Sequence, residues 1–153
     1  MKTLNLCNSS VAEIEINYRN TVKPSDMRNV QSSADVYNVL RDVWTDRIEY
    51  LEEFVILMLN KANKVLGFTK ISQGGTAGCV VDPKCIFQVA LKCNASSIIL
   101  AHNHPSGNRQ PSDADLRITK KLKQGGEILE IAILDHLIIT SEGFYSFMDE
   151  GFN

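Results

Sequence analysis

The stretch "LAHNHPSGNRQPSDAD", residues 100–115, ends an apolar run with two histidines one residue apart, then turns through Pro-Ser-Gly toward a serine and two aspartates. The run before it, "SSIIL", is continuous in the way of a strand covered on both faces. After the loop, "SDADLRITKKLKQ" places Ser112 as a helix cap, and Gly125 with Gly126 is expected to end that helix. A buried strand, a short loop and a helix make one corner of an α/β fold.

Working outward, Asp82-Pro83 reads as a cap followed by proline at the first helical position. The helix through "KCIFQVALKCN" would then bury Ile86, Phe87, Ala90 and Leu91. Upstream, "EEFVILMLN" (52–60) and "KVLGFTKIS" (64–72) flank a short turn and predict a hairpin. The glycine-rich "QGGTAG" reads as a flexible loop, with "CVV" after it as a short strand. "SSADVYNVLRDVW" sets Val36, Val39, Leu40 and Val43 at helical spacing behind Ser32 or Ser33. "AEIEINY" (12–18) alternates like a strand with one wet face, and "TVKPSDMRNVQ" is a polar connection. Beyond the corner, "LEIAILDHLIIT" supplies two strands or one bent strand, and "EGFYSF" a last short one. Strands alternating with helices predict an α/β domain with a mixed sheet, without internal repeats. The boundaries expected are residues 1–32 for an N-terminal strand and connection, and 33–153 for the main domain.

The bulk properties narrow the classes. The 153 residues are 44% hydrophobic and 22% charged, enough for one self-sufficient core. A net charge of −2 offers no global attraction to nucleic acid. "FVILML" and "SSIILA" are far shorter than the roughly 20 residues of a membrane helix. The first residues hold no sustained apolar segment, so no signal peptide is expected. Cys7, Cys79, Cys85 and Cys93 form no CxxC pair, and the spacing of Cys79 and Cys85 fits no common zinc knuckle. Reduced thiols and a cytoplasmic setting are expected.

The chemistry collects at the corner. Side chains two apart on a strand share a side, so His102 and His104 face one space while Asn103 faces away. Both imidazoles can reach one metal ion at about 2.0–2.1 Å. Asp115 falls in the first helical turn, with its side chain leaning toward the helix N-terminus and so back at the histidines. Two imidazoles and a carboxylate make a three-ligand zinc set with a fourth position left for water. Ser112-x-x-Asp115 is equally close to a capping box, in which both residues serve backbone N–H groups. A general base is needed beside such a site, and Glu52 and Glu53 are the candidates. Adjacent strand residues face opposite sides, so at most one points inward. His136 reads as a core or sheet-end histidine bonded to Asp135 or to backbone.

The spacing His-x-His, seven residues, Ser, two residues, Asp in "HNHPSGNRQPSDAD" resembles the JAMM signature of the JAB/MPN metallopeptidases. "EEFVILMLNKANKVLG", "VALKCNASSIILAHNHPSG" and "ILDHLIITSEGFYSF" look like the RadC-type branch, a resemblance covering about residues 33–150. It implies a mixed sheet flanked by helices in a three-layer, cytidine-deaminase-like arrangement. It implies zinc on His102, His104 and Asp115, with Ser112 supporting an oxyanion. In that branch the acid/base glutamate stands two residues before a phenylalanine, which here is Glu52, with Glu53 the runner-up. RadC-type proteins commonly carry an N-terminal helix-hairpin-helix region that residues 1–32 do not resemble.

The expected function is a zinc metallohydrolase cleaving a peptide or isopeptide bond, with a peptide or protein as partner. The alternatives are a RadC-like DNA-repair or recombination accessory protein, and a non-catalytic binding module on the same scaffold. A zinc deaminase is excluded, because that chemistry uses H-x-E followed by P-C-x-x-C, and neither is present.

Overall fold

The strand that ends in the two histidines lies at the centre of the sheet, which is why it is apolar on both faces. In the computed structural model, which describes residues 10–44, 47–74 and 78–152, this strand is β3 (Ser97–Asn103), and every residue in it is buried. It pairs antiparallel with β1 (Glu53–Leu59) on one side and parallel with β4 (Ala132–Thr140) on the other. β2 (Val65–Gln73) extends the sheet beyond β1, and β5 (Gly143–Ser146) closes the far side, giving the order β2-β1-β3-β4-β5.

Strand alternation divides the buried side chains between two cores. Val55, Leu57, Leu59, Ile99, Ala101, Leu137 and Ile139 pack with Val36, Val39 and Leu40 of α1 (Ser33–Val43). Phe54, Ile56, Met58, Ile98 and Leu100 pack on the other face with α2 (Pro83–Lys92) and Leu122 of α3 (Asp113–Leu129). The result is the expected mixed α/β sheet between helical layers, with fully buried Leu or Ile side chains each worth roughly 1.5–3 kcal/mol on transfer from water. Ser32 caps α1 with a complete capping box, and Asp82 caps α2 ahead of Pro83.

Five expectations are corrected. Residues 12–18 form no strand: Ile14 is 91% exposed and Ile16 79%, and no ladder pairing forms there. Alternation describes a face but supplies no partner strand to bond with. "CVV" (79–81) likewise runs without strand pairing, and part of the glycine loop before it (75–77) lies outside the described residues. Leu91 is exposed, leaving Ile86, Phe87 and Ala90 as the buried stripe of α2.

Gly125 and Gly126 do not end α3, which runs on to Leu129. They are sites of close packing: a Cβ on Gly125 would stand 2.8 Å from the Phe87 ring, and one on Gly126 2.3 Å from the Ile131 carbonyl oxygen. The left-handed cap is Glu130, at φ 55°. The fifth correction concerns His136 and belongs to the site.

One irregularity shapes that site. The β3–β4 ladder shifts register between the Ile98–Ile133 and Ile99–Asp135 pairs, leaving Leu134 as an extra residue. This bulge reverses the alternation. Ile133 packs beside α2 and α3, and Leu134 beside α1. Beyond the bulge, His136 rather than Asp135 shares the face of His102.

Candidate metal centre

The three residues picked out by spacing converge at the C-terminal end of β3, where α3 begins. Nε2 of His102 and Nε2 of His104 lie 2.9 Å apart. The Asp115 carboxylate faces both, with Oδ1 3.3 Å from His102 Nε2 and Oδ2 3.6 Å from His104 Nε2. Among the described residues this is the one set of three or more His, Cys, Asp or Glu side chains able to hold a metal ion, its ligand atoms all within 4.8 Å of one another.

Backbone geometry makes the convergence inexpensive in strain. Ser112 caps α3, its hydroxyl accepting from the Asp115 N–H at 3.2 Å while Asp115 Oδ2 accepts from the Ser112 N–H at 2.7 Å. The capping box is therefore present, and it holds the carboxylate against the histidines. The two readings of Ser112-x-x-Asp115 are one arrangement. Asp115 in the first turn also suits the positive end of the helix dipole.

The donor set fits a cation. His104 Nδ1 donates to the Asn108 carbonyl at 2.6 Å, since a carbonyl only accepts, which turns Nε2 inward. The Asp115 carboxylate brings only acceptors to the same space. Burial acts to raise the Asp115 carboxyl, but hydrogen bonds from both histidines and the charge of His102 outweigh it and hold it far below the usual carboxylate range. The Asp115 hydrogen bond raises His104, against burial that lowers it. Both directions report a space that stabilises positive charge. A divalent ion meets that demand with ligand types zinc favours.

Of the two candidate bases, Glu53 is engaged elsewhere. It is 2% exposed and paired with Lys70 of β2 at 2.5 Å. Glu52, one residue before β1, lines a groove of about 570 Å³ together with Tyr50, His104, Pro105, Pro111 and Ser112. It also lines a smaller cavity of about 210 Å³ with His102 and Asp115. Its backbone carbonyl is held by the Gly74 N–H at 2.8 Å and by the Cys79 thiol at 2.9 Å.

The roles of three residues around the site escaped the sequence reading. Asn103 turns away from the histidines, as expected, and there bonds the segment carrying Glu52: its amide donates to the Ile48 and Leu51 carbonyls at 2.7 Å, and its oxygen accepts from the Glu53 N–H at 2.7 Å. A fully buried amide in an apolar strand was the available signal. His136 is the core histidine expected, fully buried, and its backbone N–H donates to Asp135 Oδ1 at 2.7 Å; the fifth correction is its ring, which bonds neither Asp135 nor backbone. Its Nε2 meets His102 Nδ1 at 2.7 Å, and its Nδ1 meets the Thr119 hydroxyl at 2.6 Å. Burial pushes His136 well below its ordinary value. Thr119 stands four residues after Asp115, on the same side of α3, which was legible; the bulge that aims His136 was not.

The profile of the RadC-like JAB domain family matches residues 30–152. A UPF0758 protein of Flavobacterium johnsoniae is 43% identical over 144 residues, which are 94% of this chain and 62% of that protein. A UPF0758 protein of Chlorobaculum parvum is 38% identical over 80% of this chain and 54% of its own length. One from Methanosarcina mazei is 38% identical over 82% of this chain and 54% of its own. The chain thus spans between about half and two thirds of the length of these relatives. No helix among the described residues is long and apolar enough to cross a membrane.

Proposed function

The chain belongs to the RadC-like JAB domain family, and on that premise we propose that it is a zinc-dependent hydrolase of peptide or isopeptide bonds. The observation that carries the reading is the convergence of His102, His104 and Asp115 beside a groove lined by Glu52 and Ser112. His102, His104 and Asp115 would hold the ion, which when bound supplies Lewis acidity and lowers the pKa of a coordinated water toward 7.

The remaining roles fall to the protein. Glu52 takes the proton of the attacking water and delivers it to the leaving amine, the dual task of a general acid/base. The Ser112 hydroxyl accepts from the Asp115 N–H, and its own proton has no acceptor among the described residues. It is free to donate to the oxygen on which negative charge develops, a contact of a kind worth about 2.7–4 kcal/mol. The groove wall of Tyr50, Pro105 and Pro111 offers apolar surface to an extended peptide. Lys70 keeps Glu53 out of this chemistry.

The test uses zinc-loaded protein, a mixed peptide library and an isopeptide-linked peptide at neutral pH. Wild type is expected to cleave, and Glu52→Gln to lose roughly 10²–10⁴-fold in rate with its zinc content unchanged. An inert wild type holding one zinc per chain would favour a non-catalytic binding module. Normal turnover by Glu52→Gln would remove the assigned base.

A further inference from the structure

We infer that His136 and Thr119 form a positioning pair that sets the tautomer and orientation of His102 and ties it to the backbone of Asp115. This deepens the proposed metal site and rests on that reading of it.

Counting protons leads to the assignment. The Thr119 hydroxyl lies 2.6 Å from the Asp115 backbone carbonyl and 2.6 Å from His136 Nδ1. A carbonyl only accepts and a hydroxyl has one proton, so that proton goes to Asp115. His136 Nδ1 must then donate to Thr119. The His136 side chain is fully buried between Phe147, stacked at 4.6 Å, and Phe54, edge-on at 5.5 Å. No carboxylate bonds its ring, and a lone imidazolium there would be costly. The ring is neutral, with its lone pair on Nε2.

That lone pair faces His102 Nδ1 at 2.7 Å, so His102 donates from Nδ1 and leaves Nε2 as the nitrogen open to a metal ion. Nε2 is the atom that points at His104 and Asp115. Phe54, nearly parallel to the His102 ring at 6.0 Å, keeps the imidazole in that plane. The path from His102 through His136 and Thr119 to the Asp115 carbonyl joins two ligands borne on different elements. It holds the start of α3 against the end of β3. Metal-ligating histidines generally depend on such a partner at the other ring nitrogen, and here the partner is a second histidine supplied by the bulged strand.

The experiment measures Co²⁺ and Zn²⁺ affinity by competition with a chromophoric chelator, together with the visible spectrum of the Co²⁺ form. His136→Phe keeps the ring stacking and removes both hydrogen bonds. It is expected to weaken affinity about 10–100-fold and to alter the Co²⁺ spectrum. Thr119→Val should weaken affinity in the same sense, and Thr119→Ser, which restores the hydroxyl, should recover wild-type affinity. The double variant should be no worse than His136→Phe alone, because Thr119 acts through His136. Should His136→Phe not fold, the imidazole ¹⁵N spectrum of wild type decides: an Nδ1–H tautomer of His136 supports the pairing. An Nε2–H tautomer, or unchanged affinity in both His136→Phe and Thr119→Val, would overturn it while leaving the metal site intact. A wild type that binds neither metal overturns the proposed function as well, and the two failures are thereby distinguished.

Discussion

His102 and Asn103 are adjacent, both almost fully buried, and opposite in character. Asn103 points to the α1 side, where its amide and oxygen together make three hydrogen bonds to backbone and leave nothing unmet. Asp135 resembles it on that face, accepting from the Ser146 hydroxyl, the Met148 N–H and the His136 N–H. His102 points the other way, into a space where its Nε2, that of His104 and the Asp115 carboxylate converge within 3.6 Å of one another. A buried polar group whose partners are complete holds a fold together. Ligand-type groups that converge on one space beside a groove are arranged for something that arrives later.

The sharpest way to break this contrast is Asp115→Asn. The amide oxygen can still accept the Ser112 N–H, so the cap survives, while the charge that attracts a cation is lost. Metal affinity is expected to fall roughly 1,000-fold or more, about 4 kcal/mol, with the unfolding free energy of metal-free protein changed by less than about 1 kcal/mol. Isothermal titration and urea denaturation measure the two halves. A large loss of stability without loss of affinity would make Asp115 a structural residue like Asn103.

The complementary change is Asn103→Ala. It strands two carbonyls and one N–H, and about 2–3 kcal/mol of stability should go. Protein that remains folded should still take up metal in equal proportion, because His102 and His104 face the other way. Loss of metal binding from folded Asn103→Ala would show that the two faces are not independent.

A smaller effect sharpens the α1-side cluster. Burial raises the Asp135 carboxyl, only partly offset by the Ser146 hydroxyl and by the Met148 and His136 N–H groups. The folded state therefore holds the Asp135 proton more readily than the unfolded chain does. Its stabilising contribution is complete below the unfolded carboxyl range near 3.9 and is lost as pH rises through the higher folded value. Asp135→Asn cannot show this change. The difference in melting temperature between wild type and Asp135→Asn should move in favour of wild type as pH falls from 7 toward 4. A flat or reversed difference would contradict the assigned direction.

Much of the site could be read before any coordinates, because it depends on short-range periodicities. A two-residue repeat puts His102 and His104 on one side of a strand, and a first-turn position aims Asp115 back along a helix. Ser112 and Asp82 were legible as caps for the same reason. Readings failed where a distant segment decided the outcome. The alternation of residues 12–18 lacked a partner strand, and Leu91 lacked a neighbour to cover it. Gly125 and Gly126 read as a helix end because their small size, taken locally, means flexibility; against Phe87 and Ile131 it means close approach.

By itself, then, the order of residues determined the triad of His102, His104 and Asp115 that could hold a metal ion, the strand–loop–helix corner that presents it, and the α/β class. Periodicity could not choose between the two glutamates that the resemblance had ranked. Tertiary structure sets Glu52 along the groove while Glu53 meets Lys70. It also decided that one extra residue at Leu134 turns His136 toward His102. The reason is physical: a side chain's direction along one element follows from that element's own period. Which of two neighbours finds a partner depends on the register of another strand, set by packing over the whole sheet.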